Sequence, residues 1–100
     1  MIVVVGSFRI PPSMVDVVRG PMEAMIAASR AEQGCIEYAY AIDVLDKGLV
    51  RVSETWRDRE ALESHFRTAH IAEWRAQFSA LAISERDLFA YETVDDGFHI

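Results

Sequence analysis

Two imidazoles, a phenyl ring and an indole fall within ten residues of this chain, in the run His65-Phe66-Arg67-Thr68-Ala69-His70-Ile71-Ala72-Glu73-Trp74. An unperturbed imidazole titrates near pH 6.5, so modest changes in its surroundings decide whether it is a base or a cation at neutral pH. On an unbroken helix Leu62, Phe66, His70, Trp74 and Phe78 recur every four residues and share one inward stripe. That register turns His70 toward the core, where its ring needs a hydrogen-bond partner.

A carboxylate is available from a neighbouring strand. In the stretch Leu49 to Arg57, strand alternation puts Val50, Val52, Glu54 and Trp56 on one face and Leu49, Arg51, Ser53, Thr55 and Arg57 on the other. If the first face meets the helices, Glu54 enters the space of the histidines and pairs with His65 or His70. The alternative partner is an arginine at the sheet edge or across a contact between two copies. No metal is expected: residues five apart on a straight helix lie about 140° from each other around the axis, a poor spacing for joint chelation. A break at Thr68 would change that geometry.

The elements that must position these groups are legible from pattern and punctuation. Met1 to Ile10 reads as a strand closed by Pro11-Pro12. A helix follows, with Gly20-Pro21 expected to kink it after a short first turn or two, leaving a main helix from about Pro21 to Ala31. Gln33-Gly34 supplies a left-handed cap. Strands Cys35 to Val44 and Leu49 to Arg57 flank the hairpin loop Leu45-Asp46-Lys47-Gly48. Asp58 caps the next helix, which runs to about Leu81, and a last strand spans Arg86 to Val94. The order strand, helix, strand, strand, helix, strand is that of an α+β ferredoxin-like domain, a four-stranded antiparallel sheet with helices on one face. Residues 1–94 form that domain, and residues 95–100 form an exposed tail that carries His99.

Composition narrows the function classes. The chain has 100 residues, 51% hydrophobic and 26% charged, with a net charge of -6, which argues against a nucleic-acid partner. No apolar stretch approaches the roughly 20 residues of a membrane span, and a signal peptide is not expected, because Met1 runs directly into Ile2-Val3-Val4-Val5 without a basic leader. A cytoplasmic protein with no membrane partner is expected. Cys35 is the only cysteine and is expected to be a plain buried thiol.

Both sheet faces are apolar. Ile2, Val4, Phe8 and Ile10 oppose Val3 and Val5 in the first strand, and Ile36, Tyr38, Tyr40, Ile42 and Val44 oppose Cys35, Ala39 and Ala41 in the second. Two helices cover only one face, so the outer face is expected to bind a second copy, giving a homodimer.

The segments Met1 to Ile10, Met22 to Cys35, Tyr38 to Leu45 and His65 to His70, followed by Trp74, closely resemble the antibiotic biosynthesis monooxygenase family, over about residues 1–94. The likeness is greatest to small stand-alone members assigned as quinol monooxygenases. It implies a dimer of ferredoxin-like subunits, each with a pocket between helices and sheet, in which O2 attacks a phenol or quinol with no cofactor. On that basis His70 or His65 is the base, Glu54 an orienting acid, and Phe66, Trp74 and Trp56 the walls, while Tyr38 or Tyr40 donates to a substrate oxygen. The haem-degrading and polyketide-tailoring branches place an asparagine beside their substrate, and this chain has none. Alternatives are a proton-transfer or isomerase enzyme acting on a small carbonyl compound, and a non-catalytic dimeric module that binds an aromatic metabolite or a haem.

Overall fold

The computed structural model describes residues 1–100. Strand β1 (Ile2–Arg9) leads through a 3-10 turn at Pro12–Met14 into helix α1 (Val15–Arg30). Strands β2 (Cys35–Ile42) and β3 (Leu49–Trp56) form a hairpin, helices α2 (Arg59–Phe66) and α3 (Ala69–Ala76) follow, and β4 (Ser84–Glu92) completes the sheet. Spatial order is β2-β3-β1-β4, and every neighbouring pair is antiparallel. This is the expected ferredoxin-like α+β fold.

The inner face follows from alternation. Ile2, Val4 and Phe8 of β1 are buried, as are Val50, Val52, Glu54 and Trp56 of β3, and α1 closes on them with Val18, Met22 and Met25. In β2 the alternation slips by one residue. A bulge between Cys35 and Glu37 leaves Ile36 more than half exposed while Tyr38 stays buried against β3. Ile36 therefore does not share the inner face with Tyr38 and Tyr40 as simple alternation has it.

Helix α1 corrects another expectation, because it runs unbroken through Pro21. A proline inside a helix leaves the carbonyl four residues earlier without its donor. Here that residue is Val17, which is exposed, so water can satisfy the carbonyl. The second helical region shows the opposite: the sequence suggested one helix with an interruption, and the chain makes two short helices. Asp58 caps α2 by accepting from the Ala61 backbone N–H at 2.8 Å. Thr68, in extended conformation, caps α3 and also donates its hydroxyl to the His65 carbonyl at 2.8 Å. The uniform inward stripe does not form. Ala61, Leu62 and His65 face inward from α2 and Ile71 and Trp74 from α3, while Phe66 is 50% exposed.

On the outer face, Val3 pairs with Tyr91 and Val5 with Phe89, while Ala39 and Ala41 of β2 lie on the far side of β3. Phe89 and Tyr91 are more than half exposed. The β3 contribution, Arg51, Ser53 and Thr55, is polar, so the apolar part of this face is concentrated on β1 and β4. No helix of the chain is long and apolar enough to cross a membrane.

The sheet interior leaves no room at Gly6. A Cβ built there stands 2.1 Å from the Asp87 carbonyl oxygen and 2.6 Å from the Leu88 Cα, both backbone atoms of β4 near its register shift. We expect Gly6→Ala to lower the unfolding free energy by at least about 2 kcal/mol, read from the urea midpoint, because backbone rather than a side-chain tip must give way. A midpoint equal to that of the parent chain would show that β4 moves freely.

Candidate active site

The break at Thr68 determines what the two histidines can do. His65 lies in the last turn of α2 and His70 in the first turn of α3, so the change of direction between them brings both rings to one point. That point is Glu32, in the turn after α1. Its Oε2 lies 2.5 Å from His65 Nδ1 and 2.8 Å from His70 Nε2. Gly34 makes this approach possible: its φ of 90° is the left-handed cap expected at this position, and an added Cβ would stand 2.6 Å from the Ala61 Cβ. Only glycine lets the turn lie that closely on α2.

His65 is the deeper of the two imidazoles. It is 2% exposed, packs against Trp56 with ring centroids 4.5 Å apart and the planes tilted by 39°, and lines a cavity of about 160 Å³. With Nδ1 directed at Glu32, its Nε2 makes no hydrogen bond within the chain and yet is not sealed from the cavity. Burial lowers the His65 pKa below its ordinary 6.5, against the opposing pull of Glu32. The ring is thus neutral at neutral pH, a donor at Nδ1 and an open acceptor at Nε2. Because the unfolded chain takes up this proton first as pH falls, the group withdraws stability on the acid side of that value.

The remaining cavity wall comes mainly from the sheet and α3: Phe8, Tyr38, Tyr40, Glu54 and Trp74 are the groups of chemical interest, with Arg75 and Arg86 also on the lining. The Tyr38 and Tyr40 hydroxyls are hydrogen-bonded at 2.8 Å. Desolvation raises both, Tyr40 to about 12, so both remain neutral hydroxyls able to donate. Glu54 faces this space as expected, but neither histidine is its partner. Its Oε1 accepts from Trp56 Nε1 at 2.9 Å, and no arginine forms an ion pair with it. Arg86 acts on it only at longer range, and burial is the main cause that raises its pKa.

Of the residues singled out in the sequence, His65, Glu54, Tyr38, Tyr40, Phe66 and Trp74 line the cavity. Trp56 lies behind His65, fully buried, and holds Glu54. His70 is outside the lining, its side chain 23% exposed, and reaches Glu32 from the other side. The pattern missed Glu32. A glutamate in the polar turn Ala31-Glu32-Gln33-Gly34 reads as solvated, and the one available signal was that a buried imidazole requires an acceptor. Cys35 is partly buried, and desolvation raises its thiol pKa, as for an unreactive cysteine.

The raised Glu54 pKa has a stability consequence of definite sign. The folded chain holds this proton to higher pH than the unfolded chain does, so the stability it contributes is lost as pH rises through the folded value. Glu54→Gln keeps an acceptor for Trp56 and removes the buried charge. It should stabilise the protein by on the order of 1 kcal/mol at pH 8 and by much less at pH 4.5, measured by denaturant unfolding. Destabilisation at pH 8 would mean that the charge is better compensated than the contacts show.

Comparison with known proteins bears on fold and family together. Rv0793 of Mycobacterium tuberculosis, a provisionally named monooxygenase, is 32% identical over 80 residues, which are 80% of this chain and 78% of that protein. Its solved structure superposes with a TM-score of 0.83, at 27% identity, over 97% of this chain and 98% of that one. A Deinococcus radiodurans structure, provisionally named an antibiotic biosynthesis monooxygenase, gives a TM-score of 0.92 over 100% of this chain and 98% of that one, and at 20% identity it shows the shared fold. The uncharacterised Synechocystis protein sll1783 is 28% identical over 94 residues, 94% of this chain, which spans 64% of that relative's length. Residues 1–77 match the family described as antibiotic biosynthesis monooxygenase, and the chain belongs to that family.

Proposed function

We propose that this protein is a cofactor-independent monooxygenase acting on a small quinol or polyhydroxylated aromatic with O2, with His65 as the base. The observation that carries this reading is the division of labour on the His65 ring, with Nδ1 engaged by Glu32 and Nε2 open to an aromatic-lined cavity. A cavity of about 150 Å³ accommodates one benzene-sized ring, and the volume beside His65 is about 160 Å³. The family membership and the monooxygenase names of its relatives support the reaction class.

The chemistry asks little of the protein beyond a base and a cage. His65 Nε2 removes a hydroxyl proton from the quinol, and the resulting anion is electron-rich enough to reduce O2. A ring carbon is oxidised as a C–O bond forms to it. The O–O bond then breaks, one oxygen staying as a carbonyl and the other leaving as water, so that quinol plus O2 gives hydroxyquinone plus water. All four electrons come from the substrate. The proton held by His65 passes to the peroxide oxygen; the C–H bond of the attacked ring carbon then breaks as the carbonyl forms, its proton being taken by the freed His65 Nε2 and passed to the departing hydroxide to complete the water. The Tyr38–Tyr40 hydroxyl pair and the protonated form of Glu54 are donors for the anionic oxygen, Trp74 and Phe66 supply walls, and Trp56 fixes the planes of His65 and Glu54. Glu32 orients His65, and His70 holds Glu32.

The functional unit we propose is a homodimer formed through the outer face of the sheet. The exposed Val5, Phe89 and Tyr91 form the apolar patch that a second copy would cover.

Oxygen uptake with a panel of quinols, together with 18O2 incorporation into product, tests the reaction. His65→Gln should lower kcat/KM by about 10²–10⁴-fold, the usual contribution of a positioned base, with the fold intact by circular dichroism. A rate within a few-fold of the parent would remove His65 from the chemistry. Turnover of enolisable carbonyls without O2 uptake would favour an isomerase, and tight aromatic binding without turnover a binding module. For the assembly, Val5→Lys should shift the sedimentation coefficient from dimer to monomer, and an unchanged value would place the interface elsewhere.

A further inference from the structure

The Glu32, His65 and His70 side chains form a constellation that hydrogen bonding alone does not exhaust. Two imidazole nitrogens and one carboxylate oxygen, supplied by the α1–β2 turn, α2 and α3, lie within 4.8 Å of one another. Sharing a single carboxylate oxygen, the two nitrogens already point at a common centre, with contacts of 2.5 and 2.8 Å. Two imidazole nitrogens and a carboxylate oxygen are the donor set of a divalent transition-metal site, with ligand bonds of about 2.0–2.2 Å. Calcium or magnesium would want more oxygen than this cluster offers. The helix break at Thr68 removes the straight-helix objection to joint chelation by His65 and His70.

We propose that Glu32 Oε2, His65 Nδ1 and His70 Nε2 bind one divalent transition-metal ion of the zinc class, and that the bound ion switches His65 off as a base. To admit the ion, Glu32 Oε2 has to move off the point between the rings and become one of its ligands; the side chain stands on the turn after α1, outside the sheet. The switch is tautomeric. With the ion on Nδ1, the ring proton of neutral His65 moves to Nε2, and the nitrogen on the cavity becomes a donor that cannot accept a substrate proton. Binding of the ion stands on the ligand geometry alone, whereas the loss of catalysis rests on the assignment of His65 in the proposed function.

The experiment uses the untagged full chain. Zn2+ is titrated in competition with a chromophoric chelator, and Co2+ is followed by its visible spectrum. The expected result is one ion per chain, with a cobalt spectrum of a four- or five-coordinate ion rather than that of the aquo ion. Glu32→Gln and His70→Ala should each weaken zinc binding by at least the roughly 10–100-fold that losing even an outer partner costs. Cys35→Ser and His99→Ala should leave it unchanged, which separates this cluster from the nearby thiol and the tail imidazole. His70 is partly exposed, so its variant should fold, and the cobalt spectrum of the parent chain requires no variant. No stoichiometric binding, an aquo-like cobalt spectrum, or equal affinity in the Glu32 and His70 variants would overturn the site. With a quinol that is turned over, inhibition should follow zinc occupancy, and full activity at full occupancy would overturn the switch. Failure to find a turned-over quinol would count against the proposed reaction and leave the ion-binding result standing.

Discussion

One carboxylate oxygen, Glu32 Oε2, lies between two imidazoles, and the character of the site depends on it. A histidine buried as deeply as His65 would be an electrostatic liability if its ring polar atoms had no partner. Glu32 satisfies one of them and thereby selects which nitrogen carries the proton. Burial opposes the carboxylate on charge: it disfavours the cation that Glu32 favours, and it is the larger effect. What results is a neutral ring with its lone pair facing an aromatic cavity.

This contact is a property of the fold rather than of any one helix. Three local devices must agree: Gly34 in the left-handed region lets the α1–β2 turn lie against the start of α2, Thr68 ends one helix and begins another, and the sheet presents Trp56 as a flat surface behind His65. Each is short-range and each has an identifiable cause. Together they bring a turn, two helices and a strand to within hydrogen-bonding distance of one another. Glu54 sits on the other side of this assembly, held by Trp56 and disfavoured as an anion by its burial. The cavity therefore has a base held by a carboxylate and a second carboxyl inclined to keep its proton, two groups whose environments push them toward opposite roles.

Much of the fold was readable from residue order, because its cues are local. Pro11-Pro12 ends β1, Asp58 caps α2, Gly34 turns the chain, and alternation in β3 places Val50, Val52, Glu54 and Trp56 on the inner face. The site was less readable. A stripe drawn at four-residue spacing required a straight helix, and Thr68, whose hydroxyl back-bonds to His65 while capping α3, reset the phase, so that His65 rather than His70 reached the cavity. In β2 a one-residue bulge moved Ile36 out of register. Glu32 was invisible for a different reason. Its role is set by a contact 33 residues away in sequence, and nothing in a polar turn declares that it will be folded under a helix.

The most direct test of this account is the protonation pattern of the His65 ring, read from its two ring-nitrogen chemical shifts at neutral pH in the 15N-labelled protein. The chain contains three histidines, so the signal can be assigned with single substitutions at the other two. The account predicts a neutral ring protonated at Nδ1 and bare at Nε2, with a titration midpoint below the ordinary 6.5. A proton on Nε2, or an imidazolium at neutral pH, would contradict it and leave the cavity without its base.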